Sequence, residues 1–537
     1  MRAIQQRRLT FVLVFIAFLA VYAATAAPGL LFGDSAELQA AAATAGIPHA
    51  TGYPTFVMVG WLFTRPPVAE PATLVNLMSA VFGALSVALL IPTLAEIGVG
   101  STAAVVIAVT YGLSFTPWRI ALRGEVYTLA ICLALLAVWR FLVARRTGRS
   151  RDIRLAGFLL GLTLTGHLCF ILPVAILGLA LAWQVFRSEA RPVPQLVLLL
   201  LAFLAGLTPY LFIPLADLRR APINYFDLVR TVQNPGGAPM PDFDTPWKRL
   251  AWIVTGRNDY PAKPLHITPH FFGVGLLHSA FILFVFELGP VALVLFLLGL
   301  WRQWRGNAAR TALLVGCLAI AGLFASALMT GPMLPLFNLP TLIFATLFAG
   351  AGADALIARV AGRPGSALRS AAAGVALVAL MLLPGPWLRD YADAHPFTRW
   401  QFHVEEEGRH EKAAVIPSMR ADREAGEYGD RAAAILPRGS LVVAGWAELN
   451  VLRYLQAVKG VRLDLTLQQS TPTTLIERLE IWQRAHDVAR HPIVLAIREP
   501  SLGWIYAGLD SIPMGEDSWL WIRKTPIPAA SAAPQAR

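Results

Sequence analysis

Long apolar runs separated by short polar turns fill the first 388 residues. About twenty consecutive apolar residues suffice to cross a bilayer. On that measure the runs predict about eleven spans: 9–27, 72–96, 102–117, 126–143, two short spans within 155–186, 195–215, 277–301, 311–329, 336–358 and 370–386. The run from Leu155 to Phe186 is too long for one span, and Pro173 breaks it, so two spans should meet near Gly166 and His167. Thr55–Phe63 is too short to cross and reads as re-entrant or interfacial. From about Arg389 the pattern changes. Charges of both signs appear, and the apolar runs at 439–445 and 492–497 are strand-sized. Segments 448–458 and 474–490 read as amphipathic helices, and strands alternating with helices predict a small soluble α/β domain over 389–527. Residues 528–537 are rich in Ala, Pro and Ser and are expected to be disordered.

Composition fixes the solvent. Of 537 residues 56% are hydrophobic and 15% charged, with a mean hydropathy of +0.57, which describes an integral membrane protein. The net charge of +12 does not indicate nucleic acid. Much of the arginine excess sits in short loops between apolar runs, densest at Arg145, Arg146, Arg149, Arg151 and Arg154, and this is the positive-inside signal. It places the N-terminus in the cytoplasm, loops 28–70 and 216–270 at the outer face, and the C-terminal domain outside. The first run is long for a signal peptide and reads as a retained span. Cys132, Cys169 and Cys317 lie in apolar runs without metal-type spacing and read as packing residues. The Ala-, Arg- and Gly-rich composition suggests a bacterial inner membrane, with the outer domain in the periplasm or outside the cell.

The densest polar chemistry near a membrane boundary lies in Leu31–Phe63. Asp34 and Glu37 share a helix face. An alanine-rich run follows, Gly46 and Pro48 stop it, and His49, Thr51, Gly52, Tyr53 and Pro54 form a polar turn. Asp-x-x-Glu ahead of an alanine run is also the pattern of a helix cap. Carboxylates at a membrane surface are costly, however, and tend to be functional. The link Trp118–Tyr127 should return to the same face, bringing Arg119, Arg123 and Glu125.

These motifs resemble the DUF2723 family of transmembrane protein 260-like proteins, related to protein O-mannosyltransferases within the GT-C membrane glycosyltransferases. The family opening is D-x-x-E, a small-residue helix, then G-x-x-H-P-P-G-Y-P. Here it is Asp34-Ser35-Ala36-Glu37, then Gly46-Ile47-Pro48-His49-Ala50-Thr51-Gly52-Tyr53-Pro54, with Ala50-Thr51 in place of two prolines. Glu125-Val126-Tyr127 and Leu164-Thr165-Gly166-His167 resemble later family patterns. Pro222-Ile223-Asn224, Trp247 and Trp252–Tyr260 resemble its second outer loop, and Leu452–Asp464 its C-terminal part.

The resemblance implies a GT-C-like α-helical polytopic membrane protein. It would move a sugar, a hexose such as mannose, from a polyprenyl-phosphate donor to an acceptor hydroxyl on a protein, glycan or lipid, with inversion. It further implies that a first-loop carboxylate deprotonates the acceptor. Asp34 is the first candidate and Glu37 the second. The leaving phosphate needs donors and cations, for which His49, Arg119, Arg123 and His167 are candidates. Arg119 and Arg123 could instead snorkel at a span end, and His167 could be a hydrogen-bonded core histidine. Tyr53, Glu125 and Tyr127 are candidates for substrate contact, although Glu125 could simply pair with an arginine. Asp34, Glu37 and Glu125 could assemble an oxygen site for a divalent ion, but no metal or other cofactor is expected, and His49 and His167 lack zinc-type spacing. The competing readings are a non-catalytic scaffold and a lipid or solute transporter. Against the transporter, there is no internal repeat and the charges cluster at one face.

Overall fold

The structure, a computed structural model, describes residues 2–189, 191–233, 240–256, 276–277, 279–328, 334–361, 367–388, 404–406, 409–411, 417–470, 475, 479, 482, 492–496, 509–514 and 519–523. The expected segments 257–270, 331–333 and 528–537, and most of the helix expected at 474–490, lie outside these residues.

Apolar run length produces the helices. Helix α1 is Arg2–Thr25, and α2 (Gly33–Thr44) and α3 (Pro54–Phe63) form the first loop. Then come α4 (Pro71–Glu96), α5 (Ser101–Leu113), α6 (Phe115–Ile120), α7 (Tyr127–Thr147), α8 (Ser150–Gly166), α9 (Ile171–Ser188) and α10 (Pro192–Gly206). Helices α11 (Phe212–Leu218), α12 (Tyr225–Gln233) and α13 (Pro246–Val254) follow. Helix α7 shows how such a span ends. Arg145 and Arg146 lie in its last turn, where cations meet the negative end of the helix dipole, and Gly148 takes the left-handed conformation at φ +64.

Among the described residues seven helices are long and apolar enough to cross a membrane, or up to nine if each of two bent pairs is one span. The protein is therefore a multi-pass membrane protein, but the count is below the expected eleven. Two expected spans are short. Helix α5 stops after 13 residues, where Ser114 turns extended, and α8 has 17 residues and begins on the basic turn. The expected straight span 277–301 is also broken. Ile282–Glu287 is π-helical, and the chain bends by 114° before Val291–Gly306, through Gly289 at φ +77 and Pro290. A milder bend of 44° follows α10.

The spans pack in sequence: α1 on α4, α4 on α7, α7 on α8 and α8 on α10. Val291–Gly306 packs on Leu339–Ala361, where Gly299 and Gly352 meet. A Cβ on either would overlap the opposite helix's backbone, so this close crossing requires a residue without a side chain.

In the C-terminal part, β1 (Val404–Glu406) and β2 (Arg409–Glu411) form an antiparallel pair. Five further strands make a mixed sheet of order β4-β3-β5-β7-β6: β3 Leu441–Ala444, β4 Thr466–Gln469, β5 Ile493–Ala496, β6 Asp510–Pro513 and β7 Trp519–Arg523. The expected strands at 439–445 and 492–497 are β3 and β5, and β3 runs parallel to both β4 and β5. Helix Trp446–Ala457 is the β3–β4 crossover. Alternate strand residues serve two faces, as buried parallel strands must. Leu441, Val443, Ile493 and Leu495 pack with Leu475, Leu479 and Trp482. Val442, Ala444, Val494 and Ala496 join the larger core, which runs through the crossover helix into the membrane helices.

Candidate active site

Helix α2 is buried on nearly every side, and its alanines let α3, α4 and the crossover helix approach closely. Its N-cap is Phe32, with no side-chain capping bond. The cap reading of Asp34 and Glu37 therefore does not describe what they do. The helix ends at Thr44, where Ala45 turns left-handed and Gly46 N–H donates back to Ala41 O at 2.7 Å. Gly46 is needed for a different reason, because a Cβ there would overlap the Ile223 carbonyl oxygen. At this contact Ile47 N–H donates to Ile223 O (2.8 Å) and Tyr225 N–H to Ile47 O (2.9 Å), so the segment after α11 docks on the α2–α3 turn. A buried pair, Arg249 Nε on Asp217 Oδ2 at 2.7 Å, holds that segment together, with Asn224 on Asp217 Oδ1.

The two carboxylates stand in different environments. Glu37 is 1% exposed. Its oxygens accept the His49 backbone N–H at 3.1 and 3.2 Å, and Oε2 lies 2.6 Å from His49 Nδ1. Arg453 Nη1 approaches Oε1 at 4.0 Å. The Asp34 side chain is 42% exposed. Its Oδ1 accepts from Trp446 Nε1 at 2.6 Å, and its Oδ2 faces His49 Nε2 at 3.9 Å. His49 thus bridges the pair, bonded to the buried acid and turned towards the open one.

The crossover helix supplies a partner to each acid. Trp446 and Arg453 are two helical turns apart and reach Asp34 and Glu37. Burial pushes the Arg453 guanidinium below its ordinary pKa, opposed by Glu37, Asp227 and Tyr225. One residue on, Tyr454 donates to Glu70 Oε1 (3.3 Å) and accepts from Ala72 N–H (3.2 Å). Between this helix, α12 and β4 lies a cleft of about 390 Å³ lined by Asn224, Asp227, Arg453, Gln456 and several leucines.

Further polar residues hold α2 in place. Ser35 Oγ donates to Glu125 Oε1 and accepts from Arg123 Nε, both at 3.0 Å, and Arg123 lies 3.4 Å from Glu125. Gln39 Nε2 donates to Asn76 Oδ1 at 2.8 Å, while Asn76 Nδ2 donates to the carbonyls of Ala27 and Gly29.

Aromatic rings form one wall. The Tyr53 hydroxyl donates to Ala50 O at 2.7 Å, and its ring stacks on His167 at 5.4 Å. Tyr127 lies against the same imidazole at 4.9 Å. His167 is buried, and its Nδ1 accepts from Cys169 N–H at 3.0 Å. Tyr225 and Trp446 contact His49 from the other side. Although Ala50-Thr51 replaces two prolines, the turn is closed by Gly52 N–H on His49 O at 2.7 Å.

Of the residues singled out from sequence, Asp34, Glu37, His49 and Tyr53 form one group, and Tyr53 joins it to His167 and Tyr127. Arg123 and Glu125 reach it through Ser35. Arg119 stands half-buried in the last turn of α6. Trp446, Arg453, Tyr225, Gln39 and Asn76 were not foreseen. Among the described residues no three of His, Cys, Asp and Glu are grouped so as to hold a metal ion.

Comparison with known proteins meets this site. Residues 34–190 match the family described as Protein O-mannosyl-transferase TMEM260 N-terminal domain. Protein O-mannosyl-transferase TMEM260 of Mus musculus is 28% identical over 212 residues, 38% of this chain and 30% of the mouse protein. The match thus spans under a third of that relative's length. The crystal structure of ArnT from Cupriavidus metallidurans bound to undecaprenyl phosphate superposes with a TM-score of 0.54 at 13% identity, over 98% of this chain and 99% of that one. The oligosaccharyltransferase of Archaeoglobus fulgidus gives 0.48 at 10% identity, over 91% and 69%. Residues 34–190, which carry Asp34, Glu37, His49 and His167, are thus similar to the TMEM260 N-terminal domain family, and the chain has a GT-C-like membrane fold.

Proposed function

We propose that the protein is a membrane glycosyltransferase that moves a sugar from a polyprenyl-phosphate donor to an acceptor hydroxyl, with inversion and with Asp34 as the base. The observation that carries this reading is the contrast between the carboxylates. Glu37 is buried and its oxygens are engaged, while Asp34 is half-exposed, with Oδ2 3.9 Å from His49 Nε2. A general base must be within hydrogen-bond reach of the proton it removes, and Asp34 is the acid that can be reached. The acceptor proton passes to Asp34 Oδ2, the acceptor oxygen bonds to the anomeric carbon, and the bond from that carbon to the phosphate oxygen breaks. Glu37 orients His49, and Trp446 orients Asp34.

The leaving phosphate is assigned to the cationic side of the group, with His49 and Arg119 as candidates and Arg123 acting through Ser35. His167 accepts at Nδ1, so its neutral tautomer carries the proton on Nε2 and can donate to donor oxygens. Tyr53, Tyr127 and Glu125 border the space for the sugar. The names of the relatives support the substrate classes. The mouse protein is a protein O-mannosyl-transferase, which favours a hexose such as mannose and a protein hydroxyl, and the ArnT structure holds undecaprenyl phosphate. The reading places the membrane domain at 1–388 in a bacterial inner membrane, N-terminus inside, with domain 389–527 in the periplasm.

The test is sugar transfer from a panel of polyprenyl-phosphate sugars, comparing the intact protein with Asp34→Asn in the same membranes. Loss of a general base should slow transfer by about a hundred- to ten-thousandfold. Equal transfer by both proteins would remove Asp34 from the chemistry.

A further inference from the structure

The membrane face opposite Asp34 carries a second cleft. Helix α7 begins at Tyr127, beside His167, and its 21 residues rise about 31 Å to Thr147. Near that end, residues of α7 and α8 line a cleft of about 530 Å³. Its apolar part is Leu136, Leu155, Leu159 and Trp139, and its polar lip is Arg140, Arg149, Arg151 and Asp152.

The state of the arginines decides what the lip can hold. In this basic turn Arg146 pairs with Glu96 at 2.7 Å, and Arg145 donates to Gln184 at 3.3 Å. Arg140 pairs with Asp152, and the other Asp152 oxygen accepts from Thr147 Oγ1 at 2.8 Å. Asp152 is thereby neutralised by groups inside the cleft wall. Arg149 and Arg151 are exposed, and among the described residues neither guanidinium takes part in a hydrogen bond or ion pair. Two uncompensated guanidinium groups therefore stand over an apolar floor, with an indole at the boundary. That arrangement matches a phosphate with hydrocarbon attached, because the phosphate can take two cationic donors while its chain lies along leucines.

We propose that this cleft binds the headgroup phosphate of an anionic phospholipid from the leaflet opposite Asp34. Arg149 and Arg151 hold the phosphate, Trp139 packs at the glycerol level, and Leu136, Leu155 and Leu159 contact the first acyl segment. The inference does not depend on the glycosyltransferase reading.

The experiment compares intact protein, Arg149→Gln/Arg151→Gln and Arg230→Gln in phosphatidylcholine nanodiscs with and without phosphatidylglycerol. Thermal unfolding is followed by tryptophan fluorescence, and retained lipid is counted by native mass spectrometry. Phosphatidylglycerol should raise the melting temperature of the intact and Arg230→Gln proteins. The double variant should lose that rise and retain phosphatidylglycerol about ten- to thirtyfold more weakly, as expected for two near-surface arginines. Equal retention by the double variant would overturn the proposal. So would an equal rise on adding inorganic phosphate to phosphatidylcholine nanodiscs, since the occupant would then be free phosphate rather than lipid.

Discussion

Replacing Glu37 with Gln separates the two acids. The substitution keeps the shape and removes the charge. One oxygen can still accept the His49 backbone N–H, now found at 3.1 Å, but the 2.6 Å contact with Nδ1 loses its charge assistance. Hydrogen bonds to charged groups contribute about 1.5–3 kcal/mol against about 1 for neutral ones. Arg453, 4.0 Å away and with its side chain 13% exposed, loses the charge that offsets its desolvation. Removing one partner of such a buried group typically costs about 3–5 kcal/mol. This cost falls on the joint between α2 and Trp446–Ala457, not on the bilayer-spanning helices. Hydrogen exchange in 446–457 should therefore accelerate by about a hundredfold or more, if this joint opens as a local unit.

The comparator is Asp34→Asn. Asp34 is half-exposed, so water can replace what the substitution removes, and exchange in 446–457 should change by less than about threefold. Both variants are measured in nanodiscs by exchange mass spectrometry, with sugar transfer assayed in parallel. If Glu37→Gln leaves exchange unchanged while transfer falls as far as in Asp34→Asn, then Glu37 is the base and the argument from burial is wrong.

Three further outcomes are expected. Trp446→Phe keeps the ring contacts with His49 and Tyr225 but loses the 2.6 Å bond to Asp34; turnover should drop about tenfold with an unchanged melting curve, and full activity would rule out an orienting role. Gly46→Ala drives a methyl group into the Ile223 carbonyl and should cost about 1–3 kcal/mol in thermal unfolding, so a neutral result would contradict the close docking of the two loops. Arg249→Met leaves Asp217 buried without its cation and should cost about 3–5 kcal/mol, much of it recovered by adding Asp217→Asn; an additive double variant would show that the pair is not coupled.

The sequence makes the membrane architecture legible where run length alone sets it, as for α4 and α7. It misleads at 277–301, because apolar composition continues across Gly289 and Pro290 while the backbone turns through 114°. Strands β3 and β5 are central, buried on both faces, and stand out as apolar runs. Strand β4, Thr-Leu-Gln-Gln at the sheet edge, is half-exposed and carries no such signal. The same logic governs the site. Asp34, Glu37 and His49 are close in sequence and share a motif, so their meeting could be foreseen. Trp446 lies 412 residues from Asp34, and nothing local to either residue marks the contact. The pairing of Glu125 with an arginine could be foreseen, since Arg123 is two residues away, but its closure on Ser35 could not.

That last contact bears on how the site is built. Nearly every polar side chain on α2 is spent on holding the helix: Ser35 on Arg123 and Glu125, Glu37 on His49, Gln39 on Asn76 and the chain entering the helix. Most of these bonds are buried and the rest partly so, which makes them costly to leave unmade and fixes the position of the backbone. Asp34 stands one residue before Ser35 and inherits that fixed backbone while keeping an oxygen open. An acid on a flexible loop would have to be ordered at each turnover; in the proposed reaction the ordering of Asp34 precedes substrate, which is the arrangement that lowers a barrier by preorganisation. The same reasoning explains why the indole that orients Asp34 comes from the distant C-terminal helix. Trp446 holds Oδ1 of the one acid on α2 that stays half-exposed, and in the proposed reaction this leaves Oδ2 for the acceptor.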